Sequence, residues 1–190
     1  TLLADNIVKG KMKVDDPISK YLPASVKVPT YKGGGPPITL GHLSDHTSSL
    51  LRMPTNMPES DPTDPAADYT PELMYAFLSS YELPREVGSE YEYSNFAVGV
   101  LGQIQALAAG TSYEEALTSV ITSPLKMKET AITLSDKMKD NLAVGHSMGI
   151  PVNNWDLNSM QGAGGIRSSA HDMLLYLSAN LGLTKSQLSK

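Results

Sequence analysis

Over residues 96–108 the chain reads FAVGVLGQIQALA, and Gln103 and Gln105 are the only polar side chains in it. As a helix this stretch would be about 20 Å long. A helix that is apolar on nearly every side cannot lie on a surface, so the other elements have to enclose it. Gly99 and Gly102 fall on neighbouring turns, and the absence of a Cβ there lets an adjacent backbone approach closely. The spacing therefore predicts a central helix over 96–108 with the core built around it.

The rest of the chain carries start and stop signals. Thr70-Pro71-Glu72 is an N-cap followed by proline at the first helical position, which opens a helix to about residue 80. Ser112-x-x-Glu115 is a capping box for a helix ending near residue 121, and Ser169-x-x-Asp172 resembles another ahead of AHDMLLYLSANLG. TLLADNIVKG has Leu3, Ile7 and Val8 at helical spacing and closes on Gly10, yet nothing caps its start; it reads as a chain beginning inside an element of something longer. Eleven of the 13 prolines fall at or before Pro84, so the first half is expected to be short elements joined by long surface loops. Residues 53–69, MPTNMPESDPTDPAADY, carry four prolines and four acids with no base, and read as a solvated excursion, with a lid over a cleft as the alternative. Mainly α with a few short strands is the expected class, in one domain of 190 residues.

Composition narrows the function classes. The content of 41% hydrophobic and 18% charged residues describes a globular chain with a core. A net charge of −5 and no basic run argue against a nucleic-acid partner, whose phosphates demand clustered Lys and Arg. No apolar run reaches the roughly 20 residues of a membrane span. The absence of cysteine rules out disulfides and thiolate metal sites and fits periplasm and cytosol alike.

Two motifs bear on chemistry. GHSMG, 145–149, has the G-x-S-x-G form of a nucleophile elbow around Ser147, which needs a strand before it and a helix after it. IPVNNW puts Pro151 and two asparagines where that helix should start, so the match reads as coincidence, with an esterase using Ser147 and a downstream base such as His171 as the alternative. EYSNFAVG places Tyr93, Ser94 and Asn95 directly before the central helix, beside backbone N–H groups that favour an anion; capping by Ser94 or Asn95, with Tyr93 as a packing aromatic, is the plain alternative. HLSDH sets His42 and His46 four apart but lacks the Glu of H-E-x-x-H, so the pair reads as structural, with a metal as the alternative. GGGPP reads as a loop, and Met127, Met138 and Met173 as core filler. Nothing in the sequence calls for a cofactor or a metal.

Five ordered blocks, LLADNIVKGKMKVDDPISKYLP, PITLGHLSDHTSSL, EYEYSNFAVGVLG, SPLKMKET and GAGGIRSSAHDMLLYL, resemble the serine β-lactamase and penicillin-binding-protein superfamily, nearest to class C β-lactamases and family VIII carboxylesterases. The resemblance covers nearly the whole chain. It implies the helical region of the β-lactamase fold, with most of the α/β sheet domain absent from these residues. It also implies that Tyr93 and Asn95 are the Tyr-x-Asn motif, Tyr93 moving protons to and from the nucleophile and Asn95 binding the amide or ester side of the substrate. No Ser-x-x-Lys stands before TLLADNIVKG, Ser135-Asp136-Lys137 has the wrong spacing, and Ser186-x-x-Ser189 is no substitute; the nucleophile and the Lys-Thr-Gly motif are expected outside the chain. HTSSL has Ser49 where the family usually has glycine, a departure that strains the turn if φ is positive.

The expectation is a serine hydrolase acting on a small ester or β-lactam when completed by further segments. The alternative is a non-catalytic helical fragment that self-associates through an exposed apolar face.

Overall fold

A computed structural model describes residues 1–186. Helix α1 spans Leu2–Val8 and closes on Gly10, whose φ of 70° no other residue adopts as cheaply. A 3₁₀ turn follows at Ile18–Lys20, then α2, Leu40–Ser44, and α3, Pro71–Ser80, capped by Thr70 as its sequence requires. The central helix α4 spans Asn95–Ala109 and stops at Gly110 in the left-handed conformation. Next come α5, Tyr113–Leu117, a π turn at Thr118–Thr122, and α6, Ser123–Leu125. This run passes the expected end near residue 121; Pro124 has no N–H to donate, and the helix meets it with a widened turn rather than a stop. Helix α7, Asp136–Asp140, leads to strands β1, Gly145–Ser147, and β2, Ile150–Val152. A 3₁₀ turn at Asn158–Met160, α8, Gln161–Gly164, and α9, Ala170–Asn180, complete the described residues. Helices dominate, and β1 and β2 pair antiparallel as the single sheet among the described residues.

The core forms around α4, which packs on α2, α5, α8 and the turn before α8. Phe96, Val100 and Ile104 are fully buried within it, and Phe77 of α3 meets Phe96 edge to face at 4.9 Å. Both glutamines of the apolar stretch are paired. Gln105, nearly fully buried, accepts from Asn6 Nδ2 of α1 at 2.8 Å and donates to Met12 Sδ, while Gln103 donates to the Tyr75 hydroxyl of α3 at 3.0 Å. An unpaired amide there would cost about 1–3 kcal/mol, so the two side chains fix which elements lie on either side of α4. Enclosure ends before the helix does: Leu107 is 40% exposed, a departure from an all-round apolar environment to residue 108.

Glycine sets the tightest contact. A Cβ on Gly162 of α8 would lie 2.9 Å from both Gly102 Cα and the Val98 carbonyl oxygen, atoms that have no room to yield. A second buried cluster joins Leu2 of α1, Leu117, Ile121 and Leu125 of the α5–α6 run, and Ala179 of α9. A cavity of ≈ 510 Å³ opens between α1, α4, α5 and α9.

Two further expectations need correction. The 53–69 segment is a loop but no free excursion: Ala66 and Tyr69 are fully buried, Tyr69 donates to Asn56 Oδ1 at 3.0 Å, and Asn158 Nδ2 donates to the Ala67 carbonyl at 2.8 Å. Burial of its phenol pushes the Tyr69 pKa upward. Met127 is core filler as expected, whereas Met173 is 47% exposed, because α9 buries Asp172 and Ala179 and turns Met173, Leu174, Leu177 and Leu181 outward.

Gly162→Ala is expected to destabilise the chain by about 1–3 kcal/mol, since the added methyl meets backbone on two sides. Urea unfolding of the variant beside the parent checks this, and equal midpoints would mean that the α4–α8 contact is looser than its geometry.

Candidate active site

The site grows from the way α4 begins. Ser94 is its N-cap, and the hydroxyl accepts from Ala97 N at 2.9 Å while donating to the Leu51 carbonyl at 2.6 Å. Phe96 N donates to the Arg52 carbonyl at 3.1 Å. Two first-turn N–H groups that the sequence left open to an anion are therefore satisfied by protein, and Ser94, fully buried, is the cap.

A second segment, 46–52, runs beside this one. Glu92 N donates to the His46 carbonyl at 2.8 Å, Gly88 N to the Thr47 carbonyl at 2.9 Å, and the Ser49 hydroxyl to the Glu86 carbonyl at 3.2 Å. Ser94 N donates to His46 Nδ1 at 3.2 Å, which requires a lone pair on Nδ1 and leaves the ring proton of the neutral imidazole on Nε2. His46 and Ser49 hold φ of 63° and 61°, in the left-handed region. Each such residue costs on the order of 1 kcal/mol, offset by the bonds that pin the segment. The positive φ at Ser49 is the strain expected of a side chain at a position glycine would adopt freely, and Ser49 offsets it with its hydroxyl bond.

On this frame sit the exposed groups. Tyr93 is 47% exposed, its ring 4.6 Å from that of His46, and the Arg52 guanidinium lies 5.8 Å from its centroid. Tyr91 meets His46 edge-on at 5.7 Å. Asn95 is half-buried and its Nδ2 donates to Met53 Sδ at 3.5 Å. The structure thus brings Tyr93 and Asn95 together with His46 and Arg52 at one end of α4. A phenol and an amide two residues apart can relay a proton and orient a polar substrate group.

Arg52, and the place of His46 beside Tyr93 rather than beside His42, escape the sequence because the partners lie more than 40 residues away. His42 and His46 do not form a pair. His42 belongs to the capping box of α2 with Thr39, and His46 lies beyond the end of that helix. No group of three His, Cys, Asp or Glu among the described residues could hold a metal.

Ser147 stands elsewhere. It is exposed in β1, paired with Ile150 across a two-residue turn in which Met148 and Gly149 have φ of 53° and 81°, the pattern of a type I′ hairpin. A strand therefore follows where an elbow needs a helix, and among the described residues no hydrogen bond joins Ser147 to a histidine. His171 is exposed in the first turn of α9. One Ser-x-x-Lys spelling, Ser123 to Lys126, occupies α6, but Lys126 leaves that helix at φ 59° and so does not stack a turn above the serine. Ser135 caps α7, and Ser189 lies outside the described residues.

Comparison with known proteins gives consistent matches. The family model described as Beta-lactamase matches residues 1–190. The D-alanyl-D-alanine-carboxypeptidase/endopeptidase AmpH of Escherichia coli strain K12 is 35% identical over 177 residues, 93% of this chain and 44% of that protein. A beta-lactamase of the same strain is 27% identical, covering 93% of this chain and 43% of that one. Among solved structures, a beta-lactamase/D-alanine carboxypeptidase from Yersinia pestis complexed with citrate superposes with TM-score 0.79 at 31% identity, covering 93% of this chain and 49% of that one. A class C beta-lactamase from Rhodobacter sphaeroides does so with TM-score 0.76 at 27% identity, covering 98% and 49%. The chain spans about half the length of the relatives it matches.

Ser94→Ala removes a cap and leaves the buried Ala97 N–H without its acceptor. It is expected to cost about 1–3 kcal/mol, read as a lower denaturation midpoint; a loss below a few tenths would show that the cap does not hold the site.

Proposed function

The chain belongs to the beta-lactamase family, and from that premise we propose that it is the helical part of a serine hydrolase whose substrates are β-lactams, D-alanyl-D-alanine peptides or related esters. The reaction is acyl transfer in two steps. A serine oxygen attacks the carbonyl carbon, the C–N or C–O bond breaks as the leaving group takes up a proton, and water then cleaves the acyl-enzyme to release the acid. Tyr93 carries the proton between serine and leaving group, and Asn95 holds the amide or ester side of the substrate. The serine with its lysine, the third motif and most of the α/β sheet are supplied from outside residues 1–190.

The observation that carries this reading is the fixed geometry around Ser94. Its hydrogen bonds to His46, Leu51 and Ala97 immobilise the residue between Tyr93 and Asn95, so both neighbours stand on a rigid helix start. Rigid placement is what proton transfer and orientation require. As partners, a small-molecule substrate fits the family. None of the described helices is long and apolar enough to cross a membrane. The outward stripe Met173, Leu174, Leu177 and Leu181 is the surface through which self-association would act.

Tyr93→Phe, made in the protein as its gene encodes it, is expected to lower kcat about 10²–10⁴-fold with a much smaller change in KM, measured on a chromogenic cephalosporin and on a D-alanyl-D-alanine peptide. An unchanged kcat would put proton transfer elsewhere. No turnover by the parent on either substrate or on a simple ester would favour the non-catalytic alternative.

A further inference from the structure

The charges around the candidate site are unevenly matched. Of the three acids in the 86–96 stretch, Arg85 engages Glu90 at 3.6 Å and Glu92 in a short contact, while Glu86 makes no ion pair among the described residues. Arg52, exposed beside Tyr93, makes no ion pair among the described residues. Its backbone is fixed, since its carbonyl accepts from Phe96 N, and the next residue, Met53, receives the Asn95 amide. Its side chain is restrained as well, with the guanidinium lying over the Tyr93 ring. A stacked guanidinium has already lost part of its rotamer freedom, so less is lost when a ligand binds, and its planar fork matches a carboxylate in two parallel bonds. The chain around it carries a net charge of −5, which repels anions in general. Within 46–53 and 91–96 the charged side chains are Arg52 and Glu92, and Glu92 is taken up by Arg85, so Arg52 is the cation left to face an anion there.

We propose that Arg52 is a specificity-determining residue that selects substrates bearing a carboxylate on the acyl side, the side whose amide or ester Asn95 holds. This rests on the hydrolase reading given above and deepens it by naming the substrate class. Arg52 touches no reacting atom in this role; it anchors the acyl portion so that the scissile carbonyl lies within reach of Tyr93.

The test compares two esters of similar size on the protein as its gene encodes it, p-nitrophenyl hemisuccinate with an acyl-side carboxylate and p-nitrophenyl butyrate without one. Arg52→Gln is expected to lower kcat/KM for the hemisuccinate about tenfold, chiefly through KM, and at least fivefold more than for the butyrate, with Arg52→Lys recovering part of the loss. Tyr93→Phe lowers both esters alike through kcat, which separates failure of the hydrolase reading from failure of this one. Equal losses on the two esters, or none, overturn the proposal. An NMR titration decides the matter independently of turnover: succinate is expected to shift the Arg52 Nε–H and Tyr93 ring signals where succinamide does not, and the Tyr93 response is lost in Arg52→Gln. An Arg52 signal that ignores succinate overturns the proposal even if both esters are hydrolysed.

Discussion

Burying α4 cuts the Gln105 amide and first-turn backbone N–H groups off from water and half-buries Gln103, and the structure answers each with a bond, into a different element in every case but the Ser94 cap. Gln105 binds Asn6 and Met12, Gln103 binds Tyr75, Phe96 N binds the Arg52 carbonyl, and Ala97 N binds Ser94. Each pairing is modest by itself, while leaving any of them unmade inside the core is expensive. The requirement to satisfy them fixes α1, α3 and the 46–52 segment against the helix. Close contact of Gly102 with Gly162 then seats α8 on the remaining side.

The candidate site is a by-product of the same requirement. Segment 46–52 has to run beside residues 86–96 to deliver its carbonyls to the start of α4, and it does so at the cost of two left-handed residues, His46 and Ser49. That strain is localised at the end of the helix where Tyr93 and Asn95 stand. Chemistry placed there inherits the rigidity of a core helix. The exposed ring of Tyr93, bracketed by His46 and Arg52, is held by groups whose own backbones are pinned.

Much of the helical frame was legible in the sequence. Thr70-Pro71, Ser112 with Glu115, and Ser169 are local signals, and caps act over three or four residues, so these helix starts follow from neighbours in the chain. Tyr93 and Asn95 were legible as a pair at a helix start. What was not legible depends on distant partners. The Ser94–His46 bond spans 48 residues, and the loop from 53 to 69 reads as solvated until Tyr69 is seen beneath it. The π turn that carries the α5–α6 run to Pro124 leaves no signature beyond the proline itself. GHSMG shows the converse: five letters suggest a nucleophile elbow, whereas the Met148-Gly149 turn makes a hairpin.

The most direct measurement is mass spectrometry of the protein, as its gene encodes it, after exposure to a fluorophosphonate probe, with the modified peptide identified. A chemistry centred on Tyr93 and Asn95 predicts that the peptide containing GHSMG stays unmodified and that any adduct forms on a serine elsewhere, with labelling weakened in Tyr93→Phe. An adduct on Ser147 that survives Tyr93→Phe would contradict it and make the exposed hairpin serine the working nucleophile.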